Sequence, residues 1–414
     1  MMRAALVAMV LLAAGCARSI AQEPTQGINL QSWTTIARGR YLATVGDCTA
    51  CHTAPGGKPF AGGRAIETPF GSVLAANITP DRETGIGAWS NEEFLGAMHQ
   101  GFTDQRLYPA MPYVYYTKTT TQDALDIRAY LNTVEPVRND VVSNQLPFPF
   151  NIRLGMAVWN ALYFDAGRWK DQLGRSAEWN RGGYLVEGLG HCGACHTPKT
   201  FLGGDDSDRH LRGNALQGWY APDITGDART GLGKWSVADI VEYLKTGVNR
   251  LHTASGPMAE EISDSTQHWT DDDLKAAATY LKSLPGGNNP APARIASNDP
   301  AMRAGEAIYV DRCAACHGVK GDGISRLFPT LDGNAAVLAD KPTSLLRVVL
   351  DGTRAVSTTA APTSPAMPAF GWQLNDEQVA SVVTYVRNAW GNAASAVTAD
   401  DARSARSSLM ARND

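Results

Sequence analysis

Three pentapeptides carry the chemistry in this chain: Cys48-Thr49-Ala50-Cys51-His52, Cys192-Gly193-Ala194-Cys195-His196 and Cys313-Ala314-Ala315-Cys316-His317. In each, two thiols stand three residues apart and a histidine follows the second. That spacing suits thioether formation to the two vinyl groups on one edge of a haem, with the adjacent imidazole held beneath the ring as an iron ligand. Cys-x-x-Cys also occurs in redox dithiols and as half of four-cysteine zinc sites. A zinc site needs further thiols or histidines at short spacing, and none follows these motifs. A redox dithiol has no need of a histidine after the second cysteine in every copy. Six of the 7 cysteines are used this way, which points to three covalently bound haem c groups.

A haem iron held from below needs a ligand above if it is to exchange electrons without binding reactants, and a thioether sulfur meets that need. Each motif has one methionine downstream in a proline-rich setting: Met111 in Pro109-Ala110-Met111-Pro112, Met258 in Gly256-Pro257-Met258 and Met367 in Pro365-Ala366-Met367-Pro368. Proline has a fixed φ and no N–H, so it stiffens a loop that must present sulfur to iron. The iron ligands expected are therefore His52 with Met111, His196 with Met258 and His317 with Met367. Met98 rivals Met111, but it aligns with Leu244 on a repeated helix and reads as core. His99, His191, His210, His252 and His268 pair with no carboxylate at a spacing that suggests acid–base work.

The elements that must position these groups recur with them. Trp33 to Val45 reads as a helix that delivers the chain to Cys48, and its Arg38-Gly39-Arg40-Tyr41-Leu42 returns as Arg181-Gly182-Gly183-Tyr184-Leu185, with a weaker echo at Arg303-Ala304-Gly305. Glycine inside a helix is destabilising against alanine, so the expected reason is close crossing by another helix. Candidates for that partner span Asp123–Thr133, Asp271–Leu284 and Asp376–Trp390, each with apolar residues at helical spacing. Thr270 before three aspartates and Asn375 before Asp376, Glu377 and Gln378 are start signals. Between the paired helices, Asn77-Ile78-Thr79 through Trp89-Ser90 repeats as Asp223-Ile224-Thr225 through Trp235-Ser236 at an offset of 146. Ser90-x-x-Glu93 and Ser236-x-x-Asp239 read as capping boxes, and Gly101 and Gly247 as helix stops. The first two repeats are duplicates; the third is shorter and more divergent.

The 414 residues, 44% hydrophobic, with a mean hydropathy of −0.22, fit about three small globular domains. The formal net charge of −4 and the lack of basic runs give nucleic-acid binding no support. A Gly-x-Gly-x-x-Gly nucleotide fingerprint following a strand is absent. The reading is a mainly α chain of three tandem class I cytochrome c-like domains: residues 29–145, 176–285 and 301–393. An aromatic-rich connector occupies 146–175, reading either as packing between domains or as a docking face. A flexible linker is expected over 286–300 and a polar, disordered tail over 394–414.

Residues 1–21 read as an export signal, with Arg3 in a positive n-region and Ala4 to Ala14 as an apolar stretch too short to span a bilayer. Two processing routes fit. Leu12-Ala13-Ala14-Gly15-Cys16 resembles a lipobox, which would leave Cys16 lipidated and is favoured; cleavage after Ser19-Ile20-Ala21 would discard it.

The tandem Arg-Gly-x-Tyr-Leu and Cys-x-x-Cys-His motifs, followed by Asn77-Ile78-Thr79-Pro80-Asp81, Thr84-Gly85-Ile86-Gly87 and Leu107-Tyr108-Pro109-Ala110-Met111-Pro112-Tyr113, resemble the triheme cytochrome c subunits of membrane-bound periplasmic dehydrogenases. Ser176 to Gly182 and Gly256 to Glu260 resemble that family too, over roughly residues 30–393. The resemblance implies an electron-transfer subunit beside a catalytic subunit with flavin, pyrroloquinoline quinone or molybdenum cofactor. It also implies ubiquinone or a terminal oxidase as acceptor, and a periplasmic location at the membrane surface. Some members carry an amphipathic C-terminal membrane segment, whereas the tail here is polar. The alternatives are a haem enzyme with an open coordination position, such as a peroxidase or reductase, and a subunit of a respiratory oxidase.

Overall fold

The computed structural model describes residues 29–142, 145–287 and 289–413; the expected export signal and Cys16 lie outside them. The chain forms two compact units. The first holds the described residues up to Leu173 with Glu187–His191 and Lys199–Asp205; the second holds Gly174–Val186, Cys192–Pro198 and the chain from Asp206 onward.

In the first unit, helix α1 (Trp33–Val45) leads into the short α2 (Cys48–His52), followed by a hairpin of β1 (Ala65–Thr68) and β2 (Gly71–Leu74), helix α3 (Asn91–Gln100) and helix α4 (Thr121–Leu131). Ala65 pairs with Leu74 and Thr68 with Gly71, antiparallel. Helix α3 starts where its sequence says it should: Ser90 Oγ accepts from Glu93 N–H while the Glu93 carboxylate accepts from Ser90 N–H. It stops at Gly101, whose left-handed φ of 60° closes the last turn. Helices α1 and α4 cross face to face. A Cβ on Gly39 would sit 1.8 Å from the Asp126 carbonyl oxygen, so only glycine allows the approach. Arg38 pins the crossing by ion pairs to the buried Asp123 and Asp126 of α4. The connector is a helix here too, α5 (Gly155–Tyr163).

The second unit repeats this plan. Helix α6 (Ala177–Tyr184) continues through a π-turn over Leu185–Leu189, of which its first two residues belong to this unit. Then come α7 (Gly193–His196), the β3 (Arg212–Leu216) and β4 (Trp219–Asp223) hairpin, α8 (Val237–Thr246), α9 (Pro257–Asp264) and α10 (Asp271–Ser283). The same devices recur: the Ser236–Asp239 capping box, the left-handed stop at Gly247, and Gly182 with its Cβ position 2.0 Å from the Ala276 carbonyl oxygen. Arg181 grips Asp273 of α10 through two bonds of 2.8 and 2.7 Å.

The described residues among 286–299 form no helix or strand, though Asn289 and Arg294 hydrogen-bond Thr230 and the Trp390 carbonyl. The third repeat comprises α11 (Pro300–Arg312), α12 (Ala314–His317), α13 (Thr343–Asp351), the two-residue strands β5 (Thr353–Arg354) and β6 (Ala366–Met367), and α14 (Asp376–Asn388). Gly305 lies against α14, its Cβ position 2.2 Å from the Ser381 carbonyl oxygen. The core is aliphatic: Val379, Val382, Val383, Leu346 and Leu350 around Tyr309.

The expected disordered tail is instead helix α15 (Ala399–Asn413). Polar composition misled because the buried side of this helix is made of small groups. Ala402 is fully buried and Val397 nearly so, with Ala405 and Leu409 packed on the same core. Arg406 reaches Asp376 at 2.9 Å and the Leu374 carbonyl at 2.8 Å, so charge rather than apolar area anchors the exposed edge.

Candidate haem attachment sites

Each Cys-x-x-Cys-His motif folds as a single helical turn at or just after its first cysteine. A turn of helix places residues three apart on one side, so both sulfurs of a motif face the same way and the histidine comes next round. None of the six cysteines is in a disulfide. Burial, then Asp47 and Cys51, pushes the Cys48 thiol up to about 12; burial and Cys316 push Cys313 to about 11. Dithiols built for exchange chemistry have the opposite property, a lowered pKa and a ready thiolate. Burial thus holds Cys48 and Cys313 as neutral thiols.

The histidines show how the motif is aimed. His52 Nδ1 lies 2.7 Å from the Ala76 carbonyl oxygen, His196 Nδ1 lies 2.7 Å from that of Pro222, and His317 Nδ1 lies 3.2 Å from that of Pro329. A ring nitrogen facing a carbonyl oxygen carries the proton and donates it, which leaves the Nε2 lone pair for a metal and fixes the ring's orientation. Burial pushes all three imidazoles below the usual histidine value, against the carbonyl contact that raises it. They are therefore neutral, the form that ligates. Ala76 follows the β1–β2 hairpin and Pro222 sits on β4, the same position under the 146-residue offset. Sequence reasoning missed these acceptors because a backbone carbonyl has no residue signature. The Asn77 and Asp223 repeat one residue on was the available clue.

Met111, Met258 and Met367 are each half-buried on a separate element. Met111 sits in a turn whose N–H donates to the Tyr108 carbonyl at 3.0 Å. The chain beyond it returns to the first motif, where Tyr116 Oη donates to the Gly46 carbonyl at 3.0 Å. Met258 is the second residue of α9. Gly256, just before it, leaves no room for a side chain against the Trp219 indole of the hairpin that aims His196. Met367 is fixed by pairing with Thr353. Met98 is buried on α3.

The donor set fits haem c: paired thiols outside any disulfide, an imidazole whose Nδ1 faces a backbone carbonyl, and glycine-enabled helix crossings behind each. Haem c, when bound, supplies reversible one-electron exchange at its iron.

The Cytochrome c family model matches residues 302–390, which contain the third motif. Over most of its length the chain is similar to dehydrogenase subunits. It is 40% identical over 394 residues to the gluconate 2-dehydrogenase cytochrome c subunit of Pantoea cypripedii, covering 90% of this chain and 89% of that one. It is 38% identical to the cytochrome c subunit of the quinone-type alcohol dehydrogenase of Gluconobacter oxydans, covering 90% and 82%. It is 36% identical to the fructose dehydrogenase cytochrome subunit of Gluconobacter japonicus, covering 97% and 88%. Motifs, histidine geometry and near full-length similarity converge: this chain belongs to the family of dehydrogenase cytochrome c subunits, electron carriers that hold haem c covalently.

Proposed function

We propose that the chain holds three haem c groups and relays electrons, one at a time, away from a catalytic dehydrogenase subunit. The observation that carries this is the threefold recurrence of a Cys-x-x-Cys-His turn whose histidine Nδ1 faces a backbone carbonyl. Cys48 and Cys51, Cys192 and Cys195, and Cys313 and Cys316 attach the groups. His52 with Met111, His196 with Met258, and His317 with Met367 ligate the irons. With a histidine and a methionine both committed to each iron, haem c would serve one-electron transfer and leave no place for a reactant.

The partner supplies the substrate chemistry, through flavin, pyrroloquinoline quinone or a molybdenum cofactor, and ubiquinone or a terminal oxidase takes the electrons. The relatives named for gluconate, alcohol and fructose support a small hydroxylated substrate for that partner. Export to the periplasm and association with the membrane surface complete the reading, with Cys16 as a lipid attachment point. Among the described residues no helix is long and apolar enough to cross a membrane.

The test is a set of single replacements, Met111→Leu, Met258→Leu and Met367→Leu, in the purified holoprotein. Each should remove about a third of the methionine-to-iron charge-transfer absorption and lower one reduction potential, because thioether ligation raises it. A variant that leaves both unchanged shows that the methionine is not a ligand.

A further inference from the structure

The connector between the first two repeats shows two faces, and only one is used inside the molecule. Within the first unit, α5 docks through Trp159, whose Nε1 donates to the Leu202 carbonyl at 2.9 Å, and through Asn160, whose Oδ1 accepts from Tyr113 Oη at 2.7 Å. Tyr163 stacks on Trp159 with ring centroids 5.3 Å apart and abuts Gly204. The other side is apolar as well. Leu154, Val158 and Leu162, spaced four residues apart, are 77%, 62% and 61% exposed. Phe148, 79% exposed, precedes them, and Phe201, 93% exposed, neighbours the Leu202 carbonyl that receives Trp159. Phe150 stacks on Phe70, which lies against Gly203 of the same loop. These residues make one surface, larger in apolar side chains than a scatter of exposed aliphatics.

We infer that this face, Phe148, Leu154, Val158, Leu162 and Phe201, is where the protein lies on the bilayer surface; the inference rests on the membrane-associated reading above and names the residues that carry it. Three observations favour lipid over a protein partner. The five side chains of this face offer no hydrogen-bond donor or acceptor, and Trp159 and Asn160 spend theirs inward; on the lead-in, Asn151 is exposed and polar. Protein interfaces carry about one hydrogen bond per 100–200 Å² and a polar rim, whereas hydrocarbon asks for none. Charge points the same way. From Leu146 to Phe164 the single charged residue is Arg153, at the edge of the face, its guanidinium over the Tyr108 ring at 4.8 Å. On the flanking loop the Asp205 carboxylate is taken up by Lys199 and by Tyr115 Oη. No free carboxylate on these segments repels anionic headgroups. Finally, nine residues of helix span about 14 Å, too short to cross a bilayer and suited to lying flat in its interface. The C-terminal helix α15, polar on its outer side, has no comparable face.

The experiment uses purified full-length holoprotein with vesicles of phosphatidylethanolamine and phosphatidylglycerol, read by co-sedimentation and by hydrogen–deuterium exchange. The wild type should sediment with vesicles and gain protection at residues 147–164 and 199–205. Leu154→Ser/Val158→Ser/Leu162→Ser should lose that protection and at least about tenfold in partitioning, with haem absorbance intact. Phe201→Ser, outside the helix, should weaken binding in the same direction, and Trp372→Ser, exposed in the second unit, should leave it unchanged. Sedimentation with no protection of the connector, or undiminished in the triple variant, overturns this inference alone. A wild type that stays in solution overturns the membrane-associated reading with it.

Discussion

At the scale of single residues, this protein works by fixing protonation states through burial. The histidines of the three Cys-x-x-Cys-His motifs are one case, and His99 is another that the sequence offered no reason to single out. It is almost fully buried on α3, with Nε2 3.1 Å from Thr119 Oγ1 and Nδ1 accepting from Arg168 at 2.6 Å. Arg168 also donates to the Thr117 carbonyl at 3.0 Å, so a neutral His99 ties the end of the connector to the first repeat. Burial and the Arg168 charge lower its pKa from 6.5 to about 3. A depressed folded-state pKa means that the unfolded chain binds the proton first. The stability His99 contributes is thus complete above 6.5 and is lost as pH falls toward about 3, at about 1.4 kcal/mol per pH unit. Denaturant unfolding across that window should show this slope, reduced in His99→Gln. An unchanged slope in the variant means that His99 does not titrate on unfolding.

At the scale of elements, the crossing of the first and last helix of each repeat governs the fold. Its glycines were readable in the sequence because a mid-helix glycine has a cost that needs a compensating contact, and Gly39, Gly182 and Gly305 all have one. Gly182→Ala should destabilise the second unit by at least about 1–3 kcal/mol, its new methyl meeting the Ala276 backbone. An unshifted unfolding midpoint would show that the helices can separate without loss. Helix boundaries were legible in part. Trp33–Val45 was found to the residue although no side chain caps it, and Asn375 with Gln378 forms the capping box its sequence suggested. Helix α4 instead starts at Thr121, two residues before the expected Asp123, with Thr120 as its cap. The tail shows what patterning misses. Helix α15 has little amphipathic contrast, yet Thr398 and Asp401 exchange hydrogen bonds of 2.8 and 3.1 Å at its start, a capping signal present in the sequence and overshadowed by polar composition. Truncation after Val397 should strip cover from the third repeat and destabilise it by roughly 2 kcal/mol or more, read as faster limited proteolysis of residues 301–393. Equal proteolysis would return the tail to the status of an appendage.

At the scale of the whole molecule, one motif is used three times with different support. The first two repeats aim their histidine from a hairpin; the third does so from the Pro329 carbonyl in a loop without one. The Cys-x-x-Cys-His motifs were legible because covalent haem attachment demands fixed residue types at fixed spacing. The carbonyls that orient the histidines were not, because any residue supplies a carbonyl and only the fold brings it into place. Under the proposed function these three sites make one polypeptide a relay, and the similar proteins are cytochrome subunits of dehydrogenases. The most direct measurement is the intact mass of the purified, exported chain under denaturing conditions, where only covalently attached groups remain. The account predicts the mature polypeptide plus three haems, falling by one haem when Cys192 and Cys195 are both replaced by alanine. A wild-type mass with fewer than three would contradict it.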